Sequence, residues 1–195
     1  MSAIAKKDWK KVVSLYTSGL SMRQVAEHFD ASIGAVVYVL RKSEIPRRLV
    51  YESNKIVYEA KPPSFKIPKS LNKSQEKLKV AGVMLYWAEG YKTSLSAGVD
   101  FVNSNSDMIR VFLAFLRIVC GIDESRLRVY LYCHDTSSVP QLISYWSLIT
   151  SIPPSQFTKS YIPKKQSGKN LRMPKGLIHI RYSDKKLLRV GTQAV

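Results

Sequence analysis

The chain has 195 residues, of which 31 are Lys or Arg and 14 are Asp or Glu, for a formal charge of +17. An excess this large goes beyond what solubility asks of a chain this size and points to a polyanionic partner, taken here as nucleic acid rather than an anionic membrane surface. No apolar run approaches the roughly 20 residues of a membrane span, residues 1–6 do not form a secretory signal, and the two cysteines and three histidines (His28, His134, His179) lack the paired spacing of a zinc site. The expected setting is cytoplasmic, nucleoid-associated in a prokaryote, with Cys120 and Cys133 as buried thiols of a reducing compartment. Residues 1–75 carry 14 basic and 6 acidic side chains and residues 76–195 carry 17 and 8, so both halves are expected to touch the same polymer.

Residues 8–42 read as three short helices. They are divided at Gly19-Leu20, before Ser21, and at Asp30-Ala31, before Ser32, both serines being good N-caps. Val25, Ala26, Phe29, Ile33, Val36, Val37 and Leu40 keep the three-to-four spacing of one packed face. From Gly19 through Lys42 the pattern resembles the helix-turn-helix of resolvases and related regulators, with Asp30 at a turn where that family often has Gly. The resemblance implies a recognition helix over residues 32–41. Ser32, Gly34, Ala35 and Tyr38 would lie near base edges, and Arg23, Arg41, Lys42, Arg47 and Arg48 at phosphates. Pro46 ends this domain, assigned to residues 1–50. Residues 51–74, including a possible short element over 51–60 and the stretch Lys61-Pro62-Pro63, are expected to be a basic, semi-rigid linker to a domain over residues 75–195.

That domain opens on an apolar helix, residues 80–88, which ends on the single carboxylate Glu89 and then Gly90. An acid at the negative end of a helix costs about 0.3 to 1 kcal/mol, and a broken local rule marks Glu89 as the candidate metal ligand. Strand material follows at 95–103, with Val99 and Phe101 on one face and Ser96 and Asp100 on the other. A helix from Ser106, capped by Asn105 or Ser104, carries Met108, Val111, Phe112, Phe115 and Val119 as its core stripe and stops at Gly121. The clearest alternation spans 126–133: Leu127, Val129, Leu131 and Cys133 face the core, while Arg126, Arg128, Tyr130 and Tyr132 face away. After a helix that begins at Pro140 and carries Leu142, Tyr145, Trp146 and Ile149, a strand is expected over 158–162. In the last strand, Ile178, Ile180 and Tyr182 oppose His179 and Arg181. A sheet face of Arg and aromatic hydroxyls suits phosphates and base edges. Residues 136–183 hold no acid but include Lys159, Lys164, Lys165, Lys169, Arg172 and Lys175, a phosphate-facing composition.

The segment Ala81-Gly82-Val83-Met84-Leu85-Tyr86-Trp87-Ala88-Glu89-Gly90, with the strands and helices after it through Ile180-Arg181-Tyr182-Ser183-Asp184, resembles a single-motif LAGLIDADG homing endonuclease domain. The resemblance implies an α+β fold of order αββαββα with a mixed or antiparallel DNA-binding sheet. It also implies a homodimer packed through the 81–89 helix, and double-strand DNA cleavage with magnesium held by Glu89. Arg181, Lys92 and Lys175 are the candidate basic catalytic residues. Met84 stands where the family has Gly, and Ala81, Gly82, Leu85 and Ala88 are expected to form the stripe along which two helices approach. The alternative is a non-catalytic regulator, needing no metal, that binds duplex DNA and keeps the endonuclease fold.

Overall fold

The computed structural model of the chain describes residues 4–93, 96–133, 139–163 and 174–193, which fall into two units, Met1–Pro62 and Pro63–Val195. The class is α+β: among the described residues there are eight α-helices and one three-stranded antiparallel sheet. No helix among the described residues is long and apolar enough to cross a membrane.

The first unit is helical throughout: α1 (Trp9–Thr17), α2 (Met22–His28), α3 (Ile33–Lys42) and α4 (Val50–Ala60). Serine caps begin α2 and α3. Ser21 Oγ accepts from the Gln24 N–H at 3.2 Å while Gln24 Oε1 accepts from the Ser21 N–H at 2.9 Å, and Ser32 Oγ accepts from the Ala35 N–H at 3.1 Å. Asp30 makes the intervening turn at φ +47°, a left-handed conformation that its short polar side chain tolerates. Val12, Tyr16, Val25, Ala26, Val36, Val39 and Leu40 form the core. Val39 is buried and Val37 only half-buried, because α1 as well as α2 packs on α3 and turns its buried arc toward both.

The stretch expected to be a linker is largely built into the two units. Residues 50–60 are α4, whose Glu52 carboxylate accepts from the Leu49 N–H at 2.7 Å. From Ser64 the chain is already tied to the second unit, where Phe65 bridges Ile122 and the Lys66 N–H donates to Cys120 and Gly121 carbonyls. Gly121 is required twice over. Its φ is +58°, and a Cβ there would lie 2.4 Å from the Lys66 carbonyl oxygen. The connector shrinks to about Lys61, Pro62 and Pro63.

In the second unit α5 (Lys73–Glu89) leads into β1 (Val99–Asn103). Then follow α6 (Ser106–Ala114, continued by a π-helical turn, Phe115–Val119), β2 (Leu127–Tyr132), α7 (Val139–Thr150), β3 (Leu177–Tyr182) and α8 (Lys185–Gln193). The strand order is β1-β3-β2, with β3 antiparallel to both neighbours. One strand, not a hairpin, separates α5 from α6 among the described residues, which departs from the αββαββα order. The expected strand at 158–162 is an irregular partner of β2. It bridges in parallel at Phe157 and Tyr161, with the Thr158 N–H donating to the Val129 carbonyl and the Tyr161 N–H to Leu131, both at 2.8 Å.

Alternation sets the sheet's buried face. Val99, Phe101, Leu127, Val129, Leu131, Ile178, Ile180 and Tyr182 all turn inward onto α6, α7 and α8. Each large side chain removed from water contributes about 1.5 to 3 kcal/mol toward the fold. The buried face of α6 is Ile109, Phe112, Leu113 and Leu116 together with Phe115 and Val119. Val111 is exposed and Met108 half-buried, since α5, α7 and β1 cover a wider arc of this helix than one stripe. Both thiols are buried, and burial pushes Cys120 up to about 12. Ser64 locks the start of the unit to its end: its N–H and Oγ donate to Asp184 Oδ2 at 3.0 and 2.7 Å, and Tyr182 Oη shares the Ser64 hydroxyl at 2.8 Å.

Candidate nucleic-acid interface

The outward face of the sheet carries the polar side chains in rows fixed by register. Asp100, Arg181 and Arg128 lie directly across from one another, and Val102, His179 and Tyr130 form the next row. Asp100 organises this face. Its Oδ2 accepts from Arg181 Nε at 2.9 Å and its Oδ1 from His179 Nδ1 at 2.9 Å. Tyr130 completes the cluster, with its ring edge-on to His179 at 5.3 Å and beneath the Arg181 guanidinium at 4.7 Å. Farther along β2, Tyr132 stacks on Tyr161 at 5.5 Å, and Lys159 is exposed on the same segment. Asp100 had no role in the sequence reading. The available signal was its place, by alternation, on the face opposite Val99 and Phe101.

The arginines on and beside the sheet are not equivalent, and Arg126, expected in the strand, lies in the 3-10 turn (Glu124–Arg126) before β2. Arg126 donates to the Ser183 carbonyl at 2.7 Å and stands over the Tyr182 ring. Arg128 Nη1 donates to the carbonyls of Ser125 and Leu127, both at 2.7 Å. Both head groups are turned back onto the backbone, whereas Arg181 hydrogen-bonds through Nε and, among the described residues, through no other guanidinium nitrogen.

Helix α5 ends beside this face. Gly90 bridges Phe101, and the Tyr91 N–H donates to the Asp100 carbonyl at 2.8 Å. Gly90 ends the helix in extended backbone (φ −83°) and not in a left-handed turn. Glycine is needed there because a Cβ would fall 2.4 Å from the Tyr86 ring and carbonyl. That ring is held by the fold: Tyr86 Oη donates to the Tyr91 carbonyl, and burial pushes the phenol up to about 12.

Glu89 is exposed at the helix end, and Lys92 corrects the electrostatic oddity it presents. The Lys92 ammonium donates to the Tyr86 carbonyl at 3.3 Å and to Trp87, so a cation covers the negative helix terminus without a metal. Lys92, one of the candidate basic catalytic residues, thereby caps the helix end beside Glu89. Lys175 lies over the Tyr145 ring at 4.5 Å. It stands in the turn that precedes β3, beyond Leu177, whereas Gly90 bridges Phe101, the partner of Ile180 farther along that strand. Arg181 is closer: β1 separates its strand from Gly90, about 10 Å in strand spacings. No group of three or more His, Cys, Asp or Glu side chains capable of holding a metal occurs among the described residues.

The stripe expected to meet a second copy does not coincide with the outward face of α5. Gly82 is buried inside its own unit, where a Cβ would meet the Phe115 ring at 2.1 Å, and Leu85 packs on the core. The outward face of α5 is instead Val80, Met84, Trp87 and Ala88, with Val80, Met84 and Trp87 each more than half exposed. Met84 sits in the middle of that face.

In the first unit, Gly34, Tyr38, Arg41 and Lys42 are exposed along one side of α3, with Tyr38 edge-on to Trp9 at 6.0 Å and Arg41 near the Tyr38 ring. Arg23 and Arg47 are exposed, and the Ser32 hydroxyl serves as the α3 cap. Arg48 is different. Its guanidinium lies 3.9 Å above the Tyr16 ring and donates to the carbonyls of Gly19, Leu20 and Tyr16, where it closes the end of α1. Its backbone N–H donates to Tyr16 Oη at 2.8 Å, so Arg48 is a structural arginine and not a free phosphate contact. Lys164, Lys165, Lys169 and Arg172, like His134, lie outside the described residues. No protein-family model, curated protein or solved structure matches the chain.

Proposed function

We propose that the chain is a sequence-specific binder of duplex DNA in which a helix-turn-helix unit and a LAGLIDADG-like sheet unit each contact the nucleic acid. The observation that carries the reading is the sheet's outward face. On it Arg128, Arg181, His179, Tyr130 and Tyr132 stand together above a fully apolar inner face, a composition that suits phosphates and base edges better than bulk water. The +17 charge and the exposed Arg23, Tyr38, Arg41, Lys42 and Arg47 of the first unit support it. The partner copy in a homodimer would dock through Val80, Met84 and Trp87, which would make the DNA site roughly palindromic. The decisive test is fluorescence anisotropy of the full chain on duplex DNA and on structured RNA as salt is raised. Tighter binding to the duplex, with log K falling against log salt at a slope equivalent to about five or more phosphates, is the expected result. Equal affinity for both polymers contradicts it.

A second reading, DNA cleavage dependent on a divalent metal such as magnesium, is favoured by the exposure of Glu89 at the end of α5 next to β1. It requires the carboxylates of two copies, since a single copy lacks a ligand cluster among its described residues. Nicking of cognate duplex in a magnesium buffer that Glu89→Gln abolishes, with binding retained, supports cleavage. Tight cognate binding with no nicks in magnesium or manganese leaves the non-catalytic regulator.

A further inference from the structure

We infer that Arg181 reads a guanine in the major groove, positioned for this by Asp100 and Tyr130; the inference rests on the duplex-DNA reading above and deepens it. A guanidinium discriminates guanine by presenting two parallel N–H donors to O6 and N7, and it does so well only when the fork is held in place before the base arrives. Arg181 meets that condition. Asp100 Oδ2 accepts from Nε at 2.9 Å and leaves the Nη1 and Nη2 edge without a hydrogen-bond partner among the described residues. The Tyr130 ring supports the guanidinium plane from one side at 4.7 Å. The side chain is 42% exposed, enough for a base edge to reach the fork, while the carboxylate that orients it is 20% exposed.

The neighbouring groups sharpen the assignment. Asp100 is itself fixed by a second donor, His179 Nδ1 at 2.9 Å, so it cannot swing away with the arginine. Across the sheet, Arg128 occupies the same row but donates Nη1 to two backbone carbonyls, and Arg126 is turned onto the Ser183 carbonyl. Among the described residues, Arg181 is the one of the three that presents its full terminal fork. Arg126 and Arg128, with head groups committed to backbone carbonyls, add positive charge to this face but no free fork, and charge alone carries no sequence information.

The test is selection of binding sites from a randomised duplex library by the full chain at fixed salt, with Arg181→Ala, Arg181→Lys, Asp100→Asn and Arg128→Ala alongside wild type. The expected wild-type motif contains a G·C position favoured roughly 5- to 150-fold, converted from the ~1 to 3 kcal/mol discrimination of one bidentate pair. That position flattens in both Arg181 variants while the others persist, because lysine keeps the charge but lacks the fork. Asp100→Asn weakens the same position partially, and Arg128→Ala leaves it intact while lowering affinity for every sequence. A wild-type motif that Arg181→Ala leaves unchanged, or that Arg128→Ala flattens equally, overturns the guanine assignment alone. A wild-type chain that enriches no sequence overturns the duplex-DNA reading and this inference with it.

Discussion

Two arginines one residue apart, Arg47 and Arg48, illustrate how far identical chemistry diverges with placement. Arg47 is exposed, whereas the Arg48 guanidinium is laid on the Tyr16 ring and donates to three carbonyls at the end of α1. Hydrogen bonds from a charged donor contribute about 1.5 to 3 kcal/mol each in favourable cases, less where water competes. Arg48→Ala is therefore expected to destabilise the first unit by about 2 kcal/mol in urea unfolding, whereas Arg47→Ala changes stability by less than about 0.5 kcal/mol and lowers only DNA affinity. Equal stability of the two variants in the same titration contradicts this. Lys92 repeats the theme at α5, where a basic side chain covers the helix-end carbonyls beside Glu89.

At the scale of the element, α5 is a helix with two apolar faces of different purpose. One side, with Gly82, Val83 and Tyr86, packs against α6 and the core; the other, with Val80, Met84 and Trp87, is more than half exposed. Charging the outer face, with Met84→Glu and Trp87→Glu together, is expected to turn a dimer at micromolar concentration into a monomer in sedimentation velocity and to leave the unfolding temperature nearly unchanged. Gly82→Ala has the opposite signature. Its methyl would collide with the Phe115 ring, with a loss of about 1 to 3 kcal/mol of stability and no direct effect on association. Wild-type protein that sediments as a monomer at every concentration contradicts the proposed dimer.

For the whole molecule, the relevant boundary is the short stretch at Pro62 and Pro63, and not residue 75. Ser64 and Phe65 belong to the second unit, because Ser64 closes a hydrogen-bonded knot with Asp184 and Tyr182 and Phe65 packs on the core. A fragment of residues 63–195 is expected to unfold cooperatively. A fragment of 75–195 leaves Asp184 without the Ser64 donors and is expected to melt lower by roughly 5 °C or more in differential scanning calorimetry. Equal melting temperatures contradict this account.

The amino-acid order by itself determined what depends on local periodicity and local chemistry. Serine caps at Ser21 and Ser32, the left-handed Asp30 turn and the alternation of β2 and β3 follow from neighbours within a few residues, and so does the apolar α5 ended at Gly90. Tertiary structure alone decided which charges are free and which apolar faces are covered. Asp100 meets His179 and Arg181 across 79 and 81 residues of chain, and Arg48 meets Tyr16 across 32. No periodicity extends over such separations, so long-range pairing gave Asp100 its role, tied Arg48 to the end of α1, and turned Gly82 inward while leaving Met84 and Trp87 outside.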